Sequence, residues 1–261
     1  MTRSLPALGL LAVGLVALTA CGDKEGEGRG DDTATDAPPP DTDGDGLTDD
    51  EEAELGLDPN SADTDMDGFD DLTEVEAGTD GALCWSVPEG WPQCAAQAEA
   101  DGRTSNGWAI GDIIEDWPAI DQNGEALSFY DFHGMVVVVD ISAGWCGPCN
   151  TAAPGTQDFY VEFKDQGVMV IHLMIDDWSY DGVVSDGPGF SQEWAAEHGL
   201  SFPVVTDDST EGYATAYYNW YFEGYVEGVP SMMIIGRDGE LLDTWSGDNK
   251  SRMRSVVEGA L

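Results

Sequence analysis

Long apolar runs alternate with segments of helical periodicity from about residue 108 to the end of the chain. Two runs rich in β-branched residues, 135–142 and 168–176, have the continuity of strands buried on both faces. Shorter apolar runs predict further strands at 202–206, 231–235 and 241–245, the last two as a hairpin. Helices are predicted at 145–163, 191–198, 210–217 and 251–258. This alternation predicts an α/β fold.

The first 20 residues have the pattern of an export signal. Arg3 supplies a positive charge, an apolar run covers residues 5–18, and Leu18-Thr19-Ala20-Cys21 ends it. The run is short for a membrane-spanning helix, so cleavage is expected. The ending resembles the lipobox of bacterial lipoproteins, which implies that Cys21 is lipidated and anchors the protein in the cell envelope, facing the periplasm or the cell surface. A plain secretory signal with a chance cysteine is the alternative.

The acidic residues of the chain are concentrated near its N-terminus. The sequence has 52 acidic and 9 basic residues, a net charge of −43, and residues 23–80 hold the densest block. This charge argues against nucleic-acid partners and against electrostatic binding to anionic lipid. Residues 21–40 are rich in Gly, Asp, Thr and Pro without apolar periodicity, so a flexible tether is expected there.

An acidic repeat follows at residues 41–81. Its two copies begin at Asp41 and Asp63, 22 residues apart, with oxygen ligands at loop positions 1, 3, 5, 9 and 12 and glycine at position 6. This is the spacing of an EF-hand calcium loop, in which a carbonyl at position 7 also binds the ion. The predicted ligands of the first ion are Asp41, Asp43, Asp45, the Leu47 carbonyl, Asp49 and Glu52. Those of the second ion are Asp63, Asp65, Asp67, the Phe69 carbonyl, Asp71 and Glu74.

Three prolines at 38–40 preclude a long helix before the first loop, which argues against a helix–loop–helix sensor. The repeat resembles bacterial thrombospondin type 3 repeats, including the linking residues 57–60. The resemblance implies about two structural calcium ions that stiffen a spacer, and no organic cofactor is expected. An acidic disordered linker is the alternative.

Two of the five cysteines lie in the linker at residues 82–104. Cys21 is assigned to lipid and Cys146 and Cys149 form a C-x-x-C pair, which leaves Cys84 and Cys94. An exported compartment permits these two to form a disulfide. A zinc site of four thiolates is the alternative, although the spacing between Cys84 and Cys94 does not fit a zinc knuckle.

A strand, the residues Trp145-Cys146-Gly147-Pro148-Cys149 and a helix follow one another as in a thioredoxin active site. Pro154 lies five residues after Cys149. Asp140 lies six residues before Cys146, and Val229-Pro230 opens the penultimate strand. Together with the lead-in segments 110–112, 121–124 and 132–134, these features make residues 105–261 resemble the TlpA/ResA-type branch of exported, membrane-tethered thioredoxins. The resemblance implies a thioredoxin fold, with a central mixed sheet flanked by helices, and thiol–disulfide exchange.

The positions of the two cysteines on the predicted helix suggest their roles. Cys146, at the helix N-terminus, meets unpaired amides and the positive end of the helix dipole, so it is expected to be the attacking thiolate. Cys149, one turn further in, is expected to be less exposed and to resolve the mixed disulfide. An inert structural disulfide is the alternative.

Asp140 and Pro230 complete the predicted site. A buried Asp140 is expected to have a raised pKa and to take the proton of Cys149, whereas a strand-end carboxylate in water is the alternative. The match to thioredoxins implies that Pro230 is cis and leaves the Val229 backbone free to pair with an extended substrate; a purely structural proline is the alternative. Further substrate contacts are expected from Trp145, Gly147 and Pro148.

The whole chain is predicted to be a membrane-anchored, monomeric thiol–disulfide oxidoreductase. Its expected partners are exported proteins with disulfides and an upstream thiol reductant. One alternative is a thioredoxin-fold peroxidase, but peroxiredoxins place threonine three residues before the reactive cysteine, where this chain has Ala143. The other is a calcium-stiffened surface spacer or adhesin with a vestigial redox domain.

Two segments near the predicted site depart from the usual thioredoxin pattern. Residues 179–189 look like an inserted loop, and residues 218–229 lead into Pro230 with an unusual density of aromatic side chains. These rings are expected either to pack in the core or to form an apolar platform for a partner polypeptide. They are Trp220, Tyr221, Phe222 and Tyr225.

Overall fold

The computed structural model of the protein describes residues 38–179, 187–206 and 228–261. The predicted export signal, Cys21 and most of the tether lie outside these ranges. So do the predicted helix at 210–217, the aromatic residues 220–225 and most of the loop at 179–189. Among the described residues, no helix is both long enough and apolar enough to cross a lipid bilayer.

Each acidic loop is followed by a two-turn helix. Helix α1 (Asp49–Leu55) begins after Thr48, which forms a capping box, and helix α2 (Asp71–Ala77) begins after Asp70, whose carboxylate accepts a backbone hydrogen bond. Gly56 and Gly78 end the helices with φ values of 84° and 80°, a left-handed conformation that glycine adopts without steric cost. The repeat therefore consists of two loop–helix units.

The linker after the repeat packs against the C-terminal domain. Cys84 and Cys94 form a disulfide, and helix α3 (Ala95–Ala100) follows it. The backbone N–H of Cys94 donates to the Asp131 carbonyl at 3.1 Å. A little further on, the Arg103 guanidinium lies 4.1 Å from the centre of the Tyr130 ring, a cation–π contact. A small antiparallel hairpin, β1 (Pro118–Ile120) and β2 (Ala126–Ser128), then leads into the main sheet.

The core is a five-stranded mixed sheet in the order β5-β4-β3-β6-β7. Its strands are β3 (Val136–Ser142), β4 (Val168–Met174), β5 (Val204–Thr206), β6 (Ser231–Ile235) and β7 (Leu241–Ser246). The first three run parallel, whereas β6 and β7 are each antiparallel to the strand before them in the sheet. Every residue of β3, β4 and β6 is buried, which explains why these strands appear in the sequence as continuous apolar runs.

Three helices belong to this domain in the described residues: α4 (Gly147–Phe163), α5 (Gly187–His198) and α6 (Lys250–Ala260). Pro154 lies inside α4, as the thioredoxin resemblance implies. Helix α5 begins four residues before its predicted start, with proline in its first turn, where a missing N–H costs no hydrogen bond. Strand β5 begins two residues later than predicted because Pro203 has no N–H to donate to a strand ladder. The sheet and its helices form the predicted thioredoxin fold.

Candidate active site

Cys146 and Cys149 form a disulfide at the N-terminus of α4. Cys146 is the N-cap residue, and its Sγ accepts from the backbone N–H of Cys149 at 3.2 Å. A thiolate on Cys146 would keep this hydrogen bond and meet the positive end of the helix dipole, so it would be stabilised over the thiol. Cys149 is 1% exposed and Cys146 is 3% exposed, which is the predicted order, although both are buried.

The loop before β6 faces this disulfide. The Val229–Pro230 peptide bond is cis, and Cys146 Sγ lies 3.6 Å from the carbonyl oxygen of Val229, which is 83 residues away in the chain. Backbone groups at this place are suited to pairing with an extended polypeptide. The structure thus brings together the C-x-x-C pair and the proline that the sequence singled out.

Three exposed residues surround the cysteines: Trp145, Gly147 and Pro148. The Trp145 side chain is held in place by a hydrogen bond from its Nε1 to Asp176 at 2.7 Å. Gly144 before it packs so closely that a Cβ would approach the backbone of Asp177 to 2.9 Å. This contact fixes the loop that carries Trp145.

Asp140, the fifth of the seven residues of β3, is buried within a cluster of polar side chains and is only 1% exposed. Its carboxylate accepts hydrogen bonds from Ser142 Oγ at 2.9 Å and Thr156 Oγ1 at 3.1 Å. His172 Nε2 lies 3.0 Å from Asp140 Oδ2. Thr156 is on α4, seven residues after Cys149, so the two residues lie on the same face of that helix. Asp140 therefore contacts the helix face that carries Cys149, about two turns further along α4.

The prediction of a raised pKa for Asp140 is wrong. Burial opposes ionisation and by itself would raise this pKa, but the interactions with His172, Lys250 and Ser142 together outweigh burial and hold the pKa below its ordinary value. Asp140 is therefore a carboxylate at neutral pH, and it can accept a proton but has none to give. The alternative of a carboxylate in water is also wrong because the side chain is buried.

His172 is a residue of the site that the sequence analysis missed. It is fully buried in β4, directly opposite Asp140 in the parallel β3–β4 pairing. The sequence does contain a hint of its role: His172 is the one ionisable residue among the seven positions 168–174, which are otherwise apolar. It could be connected with Asp140 only once the register of the two strands was known, because a shift by one residue would turn its side chain to the other face of the sheet.

The two acidic loops form separate carboxylate clusters. Asp41, Asp43 and Asp45 bring oxygens within 4.8 Å of one another, and the matching residues of the second copy, Asp63, Asp65 and Asp67, do the same. The predicted position-9 residues are held differently: both carboxylate oxygens of Asp49 accept from Thr42, and both of Asp71 accept from Thr64. At position 7, the backbone N–H groups of Leu47 and Phe69 donate to Asp45 and Asp67.

The position-12 glutamates lie buried beside these clusters. Glu52 and Glu74 have no exposed surface. Among the described residues, the carboxylate oxygens of Glu52 have no hydrogen-bond partner, and Glu74 has a partner for one of its two oxygens. Burial and the surrounding aspartates raise the pKa of Glu52 to about 7 and that of Glu74 to about 8. Buried carboxylates without partners are unfavourable, and a cation with oxygen ligands would compensate for both the burial and the repulsion. The donor set therefore fits calcium.

A C-x-x-C disulfide at a helix N-terminus, a cis-proline beside it and a mixed sheet with flanking helices define a thioredoxin-like thiol–disulfide oxidoreductase. The chain belongs to the AhpC/TSA family, whose model matches residues 110–243.

Among similar proteins are two named thiol-disulfide oxidoreductase ResA. The one from Oceanobacillus iheyensis is 30% identical over 110 residues, which cover 40% of this chain and 52% of that protein, so the match spans about half of the relative's length. The one from Geobacillus kaustophilus is 26% identical over 140 residues, covering 53% and 70%. A solved thiol:disulfide interchange protein of the thioredoxin family from Chlorobium tepidum is 18% identical, with a TM-score of 0.46, and the match covers 56% of this chain and 92% of that one.

Proposed function

We propose that this chain is an extracytoplasmic, membrane-anchored oxidoreductase that reduces disulfides of exported proteins through the Cys146–Cys149 dithiol. The observation that carries the proposal is the position of this cysteine pair at the N-terminus of α4, with Cys146 Sγ facing the Val229 carbonyl. The names of the ResA relatives support the same activity. The lipobox-like end of the export signal at Cys21 supports the anchor.

The reaction proceeds by two exchanges of sulfur partners. The Cys146 thiolate attacks one sulfur of the substrate disulfide, and the other sulfur leaves as a thiolate. Cys149 then loses its proton to Asp140 and attacks Cys146 Sγ, which breaks the mixed disulfide and releases the second substrate sulfur. An upstream thiol reductant restores the dithiol. During these steps the Val229 backbone pairs with the extended substrate segment, and Trp145, Gly147 and Pro148 contact it.

Reduction of insulin by the full chain, with dithiothreitol as the electron source, tests this proposal. Turbidity from the precipitating insulin B chain should rise faster than with dithiothreitol alone. A rate equal to that of dithiothreitol would favour the alternative of a surface spacer with a vestigial redox domain.

The redox potential of the dithiol is expected to lie near that of reducing thioredoxins, about −270 mV. The expectation rests on a resemblance: Gly147-Pro148 between the cysteines is the dipeptide of those proteins. Equilibration with glutathione buffers, followed by alkylation and mass measurement, gives the value. A potential near about −120 mV, as in the oxidant DsbA, would contradict a reducing role.

Loss of the Cys21 thiol is expected to release the protein from the membrane. The variant Cys21→Ala removes the only sulfur at the predicted lipidation site, so the chain should move from the membrane fraction to the soluble extracytoplasmic fraction and no longer incorporate labelled palmitate. The variant Cys84→Ala with Cys94→Ala, which removes two cysteines elsewhere, is the control and should stay with the membrane. Unchanged fractionation of Cys21→Ala would contradict the anchor.

We also propose that the two acidic loops bind one calcium ion each. The supporting observation is the set of buried carboxylate oxygens without hydrogen-bond partners that converge in each loop. Asp41, Asp43 and Asp45, with the buried Glu52 as a further ligand, would hold the first ion. Asp63, Asp65 and Asp67, with the buried Glu74, would hold the second. Bound calcium would neutralise the mutual repulsion of these carboxylates and stiffen the segment between the anchor and the redox domain.

A further inference from the structure

The buried Asp140 carboxylate is held from two sides by hydrogen-bonded pairs of residues. On one side His172 contacts Asp140 and is itself contacted by Trp194 on α5; we call this pair the inner arm. On the other side Thr156 contacts Asp140 and is contacted by Lys250 on α6; we call this pair the outer arm. Ser142, on the same strand as Asp140, supplies a further buried hydrogen bond.

The inner arm is a buried chain of hydrogen bonds. Trp194 Nε1 lies 3.1 Å from His172 Nδ1, and because an indole N–H can only donate a hydrogen bond, His172 Nδ1 is the acceptor. His172 Nε2, 3.0 Å from Asp140 Oδ2, then donates to the carboxylate. Since His172 and Trp194 are both fully buried, this arm provides no path to solvent.

The outer arm connects Asp140 with a positive charge. Lys250 Nζ donates to Thr156 Oγ1 at 2.5 Å, and the Thr156 hydroxyl donates to Asp140 Oδ2 at 3.1 Å. The ammonium also lies 3.3 Å from Asp248, and its side chain is 32% exposed. Among the hydrogen-bonded neighbours of Asp140 in the described part of the chain, this arm alone reaches both a cation and solvent.

We propose that Lys250, acting through the Thr156 hydroxyl, is a positioning residue that keeps Asp140 ionised and so sets the lower pH limit of the resolving step. This rests on the proposed function, because it assigns a part in the exchange at Cys149. In that step the proton of Cys149 Sγ passes to the Asp140 carboxylate, and a bond forms between Cys149 Sγ and Cys146 Sγ. The bond between Cys146 and the substrate sulfur breaks, and that sulfur leaves with the electron pair as a thiolate.

The direction of the expected pH effect follows from the groups around Asp140. His172 on β4 forms a hydrogen bond with Asp140 from within the sheet, Met232 opposite Asp140 on β6 has no charge, and Cys149 on α4 is the proton donor. Lys250, with Asp248 beside it, provides the charge. A carboxylate takes up a proton when the pH falls below its pKa, and removing a nearby cation raises that pKa. Without Lys250, the lower pH limit of the resolving step should therefore move upward by about one pH unit.

A pH-jump measurement on the full chain tests this role. Cys146 of the reduced protein is blocked at acid pH with one equivalent of methyl methanethiosulfonate, and release of methanethiol by Cys149 is followed by intact mass after a jump to pH values between 3 and 8. Lys250→Gln and Thr156→Val should move the midpoint of the rate profile upward by about one pH unit. Lys250→Arg and Thr156→Ser, which keep the charge and the hydroxyl, should retain the wild-type midpoint.

Lys164→Gln is the matched control because it removes the same charge from an exposed site beyond the end of α4. Thermal melting of each variant separates a shift in the profile from loss of fold. A wild-type midpoint in Lys250→Gln, or equal shifts in Lys250→Gln and Lys250→Arg, would overturn the role of the charge. So would a wild-type profile in Asp140→Asn. Failure of the wild-type protein to reduce insulin would count instead against the proposed function.

Discussion

Replacing Cys146 with serine is expected to reduce disulfide reduction to the uncatalysed rate and to abolish alkylation of the reduced protein at neutral pH. The physical reason is the position of Cys146 at the start of α4, where the helix dipole and the N–H of Cys149 favour a thiolate. A serine hydroxyl stays protonated at this pH and cannot take part in exchange. The loss should be complete because no other cysteine among the described residues lies at a helix N-cap facing a cis-proline.

Replacing Cys149 with serine is expected to give the opposite outcome, accumulation of mixed disulfides. Cys146 can still attack a substrate disulfide in this variant, but the sulfur that breaks the resulting bond is missing. Non-reducing electrophoresis followed by mass spectrometry should show covalent adducts that dithiothreitol removes. The double variant Cys84→Ser with Cys94→Ser, which removes the other disulfide, is the control and should form no adducts.

Faster alkylation of Cys149 than of Cys146 in the reduced protein would reverse this assignment. A small reagent is needed because both cysteines are almost completely buried. Alkylation of the wild-type protein with a small reagent, with the modified cysteine located by peptide mapping, decides between them.

Calcium is expected to give the second large effect, a gain in protease resistance of residues 41–81. Without a cation, the buried carboxylates of each loop repel one another, and several of their oxygens lack hydrogen-bond partners among the described residues. Calcium should bind with about two ions per chain and a Kd of about 10⁻⁴–10⁻³ M, the range of extracellular modules. Calorimetry of the full chain gives the stoichiometry, and limited proteolysis with and without calcium gives the gain in resistance.

Substitution of the buried glutamates separates calcium binding from a general effect of charge. Glu52→Gln and Glu74→Gln should each remove or weaken one ion, since each side chain is fully buried beside its cluster. Glu54→Gln and Glu76→Gln are the matched controls, because these residues are exposed on the same two helices. Equal calcium heats in all four variants, or no heat in the wild-type protein, would contradict the two sites.

The sequence alone was sufficient for the main elements of the redox domain. Strands β3 and β4 are buried on both faces, so their residues form unbroken apolar runs that need no tertiary information to recognise. The cysteine pair was equally visible, because its chemistry depends on the three-residue spacing and on the helix that follows. Element ends were less certain: the start of β5 depends on Pro203, and that of α5 on a proline in the first helical turn.

Only the tertiary structure decided the state of Asp140. Its position six residues before Cys146 was evident in the sequence, and burial was expected to raise its pKa. The structure reverses the direction, because a neighbouring strand places His172 against the carboxylate and the last helix places Lys250 within reach of Thr156, 94 residues away. Contacts of this kind depend on strand register and helix packing, which local patterns of hydrophobic and polar residues do not encode. The sequence thus determined which residues could carry the chemistry, and the packing of distant elements determined the charge that one of them bears.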